Sequence, residues 1–157
     1  MTLKQRLMDD VKVAMKGGDK TRVTCLRMVR SKILEQEVAL RADKGKDYEL
    51  DDDEATQVLS GYAKQRRDSI DSYRQGGRED LAAREEAELK IIEEYLPKQL
   101  SEDELREIVI QAVAESGASS PREMGKVMKI VMPRVRGAAD GKLVNRIVQE
   151  ILAKPEP

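Results

Sequence analysis

Histidine, phenylalanine and tryptophan are absent from this chain of 157 residues, and cysteine occurs once. The missing histidine excludes a Ser-His-Asp triad, a Cys-His pair and any His-bearing zinc site within the chain. A lone cysteine, Cys25, can form no internal disulfide, and the simple reading is a reducing compartment. With no histidine to draw off its proton, Cys25 reads as an inert, partly buried thiol. No apolar run reaches the roughly 18 residues that would span a membrane. The first stretch, MTLKQRLMDDVK, lacks the apolar centre of a secretory signal. These absences together predict a cytoplasmic protein without membrane contact.

Strand-forming aromatics are equally scarce, with only four tyrosines. What is present is 39% hydrophobic and 38% charged, dominated by Leu, Ala, Val, Met, Glu, Lys and Arg. That is a helix-forming balance, and the apolar residues fall into regular stripes that argue against disorder. The length suits one domain or two small ones with a real core.

The helix punctuation is legible. Thr2 with Gln5 makes a capping box ahead of the stripe Leu3, Leu7, Met8, Val11 and Met15, which Gly17-Gly18 ends. Asp19 caps a second helix whose stripe runs Val23, Leu26, Val29, Ile33 and Leu34 to Val38. Asp51 with Glu54 opens a third, along which lie Ala55, Val58, Leu59, Tyr62, Arg66, Ile70 and Tyr73, with Gly76-Gly77 beyond. A fourth runs through Leu81, Leu89, Ile92 and Leu96 until Pro97 forbids continuation. Past Pro97, Ser101 and Glu104 form a helix start with Leu100 and Leu105 at its staple positions. Ser120, Pro121 and Glu123 begin a sixth helix, which Pro133 is expected to break, and Asp140 begins the last. The prediction is an all-α fold: an N-terminal bundle or hairpin array of about four helices over 1–97, then a three-helix subdomain over 98–157.

Net charge is −1, but it is unevenly spread. From Ser116 to Lys154 eight basic residues (Arg122, Lys126, Lys129, Arg134, Arg136, Lys142, Arg146 and Lys154) face three acidic ones, Glu123, Asp140 and Glu150, a local excess of five. Residues 47–54, DYELDDDE, are strongly acidic. Arg122, Lys126 and Lys129 are spaced four and three apart and share a helix face, which is an ordinary solvated surface or a seat for phosphates. Gly125 beside them would let another backbone approach. Without aromatics between the cations, little there could stack on bases.

The stretch RGAADGKLVNRIV, 136–148, invites comparison with a phosphate-binding P-loop. Gly137 and Gly141 are one position too close, Leu143 stands where a hydroxyl belongs, and no strand precedes them. Asp140 as an N-cap fits better, with Leu143, Val144, Ile147, Val148, Ile151 and Leu152 as the following stripe. A glycine turn beside Arg136, Lys142 and Arg146 at a helix start could still hold an external phosphate. In the N-terminal part, the basic segments 26–32 and 64–70 read as members of intrahelical and interhelical ion pairs, given the Glu-rich fourth helix. The carboxylates of REEAELKIIEEY read as a solvated acidic face, since a carboxylate-bridged metal site would want a histidine. No metal or other cofactor is expected.

With these features placed, the segment MGKVMKIVMPRVRGAADGKLVNRIV, 124–148, resembles the signature of the GatB/YqeY family. LRMVRSKI in the second helix and KQRRDSIDSYRQGGREDLAAREEAELKIIEEYLPKQLSEDEL over 64–105 are similar to its stand-alone YqeY-like members. The resemblance implies two helical subdomains, the second like the tail of the GatB subunit of the glutamyl-tRNA(Gln)/aspartyl-tRNA(Asn) amidotransferase. That tail helps grip tRNA while the chemistry lies in other domains. It implies a motif comprising Lys126, Lys129, Arg136, Gly137, Asp140, Gly141, Lys142 and Asn145. The family's amidotransferase-like, carbon–nitrogen ligase label is not supported by the residues themselves, which offer no ATP loop, zinc set or amidase serine–lysine signature. The expected function is therefore a non-catalytic module contacting tRNA, or an aminoacyl-tRNA-handling enzyme, through Arg122, Lys126, Lys129, Arg134, Arg136, Lys142 and Arg146. No DNA contact is expected. The alternatives are a protein-interaction adaptor without RNA contact and an accessory to glutamine-dependent amide transfer.

Overall fold

The computed structural model describes residues 1–153. Among them are seven α-helices, one 3-10 turn and no strand, so the chain is all-α. Lys154, counted in the basic excess, lies outside the described residues. Two compact units divide the chain, Met1–Pro97 and Lys98–Pro157.

The first unit contains α1 (Leu3–Lys16), α2 (Lys20–Lys44), α3 (Asp52–Gln75) and α4 (Glu79–Glu93). Their ends are set locally. Thr2 and Gln5 exchange both bonds of a capping box, as do Asp51 and Glu54, and Asp19 accepts the Arg22 N–H. Each cap satisfies backbone donors that the helix itself cannot. Gly18 and Gly77 take the left-handed conformation that turns the chain between helices. The core gathers Leu7, Val11, Leu26, Val29, Ile33, Leu59, Tyr62 and Ile92.

The α1 and α2 stripes are wider than the core they serve. Met8, Met15, Leu34 and Val38, expected to be core, are 40%, 54%, 53% and 55% exposed. In place of Leu34, Glu37 is buried, at 3% exposure. It meets Lys4 of α1 and Arg41 one helical turn on, and it accepts the Leu50 N–H at 3.2 Å. A buried carboxylate needs such partners, because desolvation penalises it strongly. Glu37 thereby ties α1 and α2 to the segment that leads into α3.

Ion pairs dress the rest of this unit. Arg66 of α3, on the apolar side of its helix, meets Glu85 at 2.7 Å and Glu88 at 3.5 Å, while Arg67 reaches Glu93 at 3.4 Å. Glu85 and Glu88 are thus partly covered partners of an arginine and not a freely solvated face. Tyr95 donates to Asp10 at 2.5 Å and accepts from Arg22 at 3.2 Å, joining α1, α2 and the end of α4. Burial, reinforced by Asp10, holds its phenol above the usual range. Burial likewise pushes the Cys25 thiol up to about 11, with the charge of Glu88 adding to it.

The second unit contains α5 (Glu102–Ser116), a 3-10 turn (Pro121–Glu123), α6 (Met124–Val135) and α7 (Gly141–Ala153). Ser101 accepts the Glu104 N–H, and Gly117 closes α5 in the left-handed region. Pro133, expected to break the sixth helix, lies inside α6, which continues to Val135. A proline so near the end forfeits one backbone bond in a turn that is about to stop, so the helix tolerates it.

Two outcomes test this packing. Glu37→Ala should lower stability in urea unfolding by about 2 kcal/mol, below the roughly 3–5 kcal/mol for breaking a fully buried ion pair because the partly exposed Lys4 can turn to water. Iodoacetamide at pH 8 should alkylate Cys25 in the folded protein at least about tenfold more slowly than in urea, since little thiolate forms beneath a pKa of about 11.

Candidate nucleic-acid interface

The seam of the second unit is wholly apolar. Leu105, Val109 and Ala112 of α5, Val127, Val131 and Val135 of α6, and Val144, Ile147, Val148 and Leu152 of α7 close on one another. A charged side chain has no place in such a seam, so the cations of these helices stand on its outside.

Four of the predicted cations form one row. Arg122, Lys126 and Lys129 are exposed, and the same spacing carried on through Pro133 reaches Arg136, the residue capping α6. Lys126 pairs with Glu123 of the adjoining turn at 3.2 Å. No carboxylate pairs with Arg122, Lys129 or Arg136 among the described residues. Gly125 sits on this exposed side, and a methyl added there would meet nothing within 4 Å. Helical glycine costs about 1 kcal/mol relative to alanine, and packing within the chain gives no reason to bear that cost.

Two other predicted cations are engaged within the unit. Arg134 reaches Glu115 of α5 at 2.7 Å. Arg146 meets Glu102 of α5 at 3.3 Å and Glu150 of its own helix at 3.7 Å, beside Arg106, which meets the same two carboxylates. These pairs hold α6 and α7 against α5. The acidic start of α5 thus neutralises part of the basic excess that the sequence places downstream.

The stretch 136–141 is a turn tied to the entry of α5. Gly137 is left-handed at φ 77°, and the Ala138 N–H closes on the Val135 carbonyl at 2.8 Å. The Leu100 N–H donates to the Ala138 carbonyl at 2.8 Å, and the Gln99 side chain donates to the Gly137 carbonyl at 2.8 Å. Asp140 accepts the Lys142 N–H at 3.1 Å, capping α7. Gly141 is the first residue of α7, where a methyl would also meet open space. Lys142 and Asn145 are exposed on α7. The turn thus sets the junction of α6 and α7 and places Arg136 and Lys142 at its two ends.

Among the described residues no group of His, Cys, Asp or Glu is arranged to hold a metal ion, and no helix is long and apolar enough to cross a membrane. One surface escapes the sequence reading, the exposed rims of α1 and α2, because a stripe on each was assigned wholly to the core. The signal was available in the positions Arg27, Arg30, Leu34 and Val38, which recur at helical spacing on α2.

Comparison with known proteins places this architecture. Altered inheritance of mitochondria protein 41, mitochondrial, from Pyrenophora tritici-repentis is 28% identical over 151 residues, 94% of this chain and 79% of that protein. The proteins of that name from Saccharomyces cerevisiae and Vanderwaltozyma polyspora are 34% and 38% identical over 90 residues, 57% of this chain. The chain matches less than half, 46%, of the length of these two yeast relatives. The names overturn the cytoplasmic expectation, since the matched relatives are mitochondrial proteins. The absences behind that expectation do not discriminate: mitochondrial transit segments are amphipathic and Arg-rich rather than apolar, and one unpaired thiol fixes no compartment. The profile of the Yqey-like protein family matches residues 4–152, nearly the whole chain, and the chain belongs to that family.

Proposed function

We propose that this protein is a non-catalytic RNA-contacting module, with tRNA its first candidate, whose second unit grips phosphate. The carrying observation is the exposed row Arg122, Lys126, Lys129 and Arg136, three members of which have no carboxylate partner among the described residues. Unpaired cations on a helix and at its two ends suit phosphate, a contact that does not depend on base sequence. The choice of tRNA rests on the resemblance of 124–148 to the GatB tail. Lys142 and Asn145 extend the row past the turn onto α7, where the helix start adds backbone donors suited to an anion. Arg134 and Arg146 are positioned to stabilise the unit, each through a partner on α5. No residue is asked to make or break a bond. Residence of the relatives in mitochondria makes a mitochondrial tRNA the natural first probe.

Filter binding of the full chain to tRNA across salt tests the assignment. Each phosphate contact contributes about one unit to the slope of log affinity against log salt. The triple change Arg122→Ala, Lys129→Ala and Arg136→Ala should reduce that slope by about two to three and weaken all tRNAs alike. Unchanged affinity sinks the row. Arg146→Ala should instead lower the thermal midpoint and leave the slope nearly unmoved.

Gly125→Ala separates packing from contact. It should stabilise the protein by about 0.5–1 kcal/mol in thermal unfolding, because the position is open and helical. If RNA backbone lies close to α6, the same change weakens tRNA binding. A stabilised variant with full RNA affinity removes Gly125 from the interface.

A further inference from the structure

Large apolar side chains on the surface are concentrated at the start of the chain. Of the nine exposed ones among the described residues, seven lie in the first 38 positions, with only Ile110 and Met132 elsewhere. Three of the seven, Met8, Leu34 and Val38, gather on one surface. Met8 of α1 and Leu34 of α2 line one cleft between these helices, about 660 Å3 in volume, and Val38 continues the apolar row along α2. Single exposed apolar residues are normal, whereas a lined groove edged by polar groups marks a binding surface.

The charges of the groove are arranged in two zones. At one end Lys4 engages both Glu37 and, at 3.7 Å, Glu49, so the lining carboxylates there are already answered. At the other end stand Arg27 and Arg30, neither paired with a carboxylate among the described residues. The polar contact of Arg27 is the Met15 sulfur at 3.5 Å. A partner entering here therefore meets the apolar side chains of Met8 and Leu34 and two guanidinium groups without a carboxylate partner among the described residues. From Arg27 to Val38 this side of α2 runs about 16 Å at the usual rise per residue, some three turns of helix.

We propose that this groove docks an acidic amphipathic helix of a partner protein. Leucine-type side chains at helical spacing would fill the cleft between Met8 and Leu34, and glutamate or aspartate flanking them would meet Arg27 and Arg30 in the charge-assisted geometry that guanidinium favours. The row on α6 proposed to hold RNA lies in the other unit, so loss of RNA binding would leave the groove untouched.

Fluorescence anisotropy on the full chain tests the groove. The probe is a fluorescein-labelled helical peptide of three to four turns with leucines on one face and glutamates beside them. Its control carries lysine at every glutamate. The glutamate peptide should bind saturably and the lysine peptide should not. Leu34→Asp and the pair Arg27→Glu with Arg30→Glu should each weaken binding by about tenfold or more, as loss of an anchor does. Both sets of side chains are exposed, and circular dichroism confirms that the variants stay folded. Absence of saturable binding, equal binding of the lysine peptide, or an unaffected Leu34→Asp protein overturns the proposal. A dimer in sedimentation velocity that Leu34→Asp dissociates overturns it too, because a second copy of the chain would then be the occupant.

Discussion

The backbone bond from the Leu100 N–H to the Ala138 carbonyl closes the second unit on itself. It joins residues far apart in sequence at the one point where α6 ends, α7 begins and the chain enters α5. Gln99 doubles it through the Gly137 carbonyl, and the positive φ of Gly137 makes the turn possible. The junction of α6 and α7 is fixed by this turn, which sets how the cations of the two helices are presented. Phosphate recognition by isolated lysines and arginines depends on such spacing, because each side chain alone contributes little in water. The glycine turn that superficially resembles a catalytic loop is better understood as the hinge pin of a static surface.

Charge in this protein is allocated by helix neighbours. Arg134 and Arg146 pair with carboxylates of α5, while Arg122, Lys126, Lys129 and Arg136 make no ion pair with those acids among the described residues. In the first unit the same division recurs: Arg66 and Arg67 pair with carboxylates of α4, whereas Arg27 and Arg30 line the groove. The exposed row of the second unit and the groove of the first are two of the places where cations have no carboxylate partner among the described residues.

Much of this was legible in the sequence because it is local. Capping boxes at Thr2 and Asp51, the Asp140 cap, and left-handed glycines at 18, 77, 117 and 137 all obey rules that span four or five residues. What was not legible depends on neighbours distant in sequence. Periodicity marks Leu34 and Val38 as apolar-face residues but cannot tell how far the next helix reaches across that face. Glu37, polar by type, is buried because Lys4 and the Leu50 N–H lie opposite it, a coincidence of tertiary register. The basic excess counted along the chain likewise overstated the free charge, since the acids that cancel it sit upstream on α5. Cellular location was read from absences that do not distinguish compartments, and the relatives corrected it.

The division at Pro97 has a consequence in time. The principal helix partners are sequence neighbours, α1 with α2, α3 with α4, and α5 with α6, and no strand must wait for a distant mate. Chains of such low contact order fold in about microseconds to milliseconds, whereas synthesis adds roughly 5–20 residues per second. The first unit has its whole core in hand once Pro97 clears the ribosome. Its groove is then formed seconds before the exposed basic row of the second unit has been made.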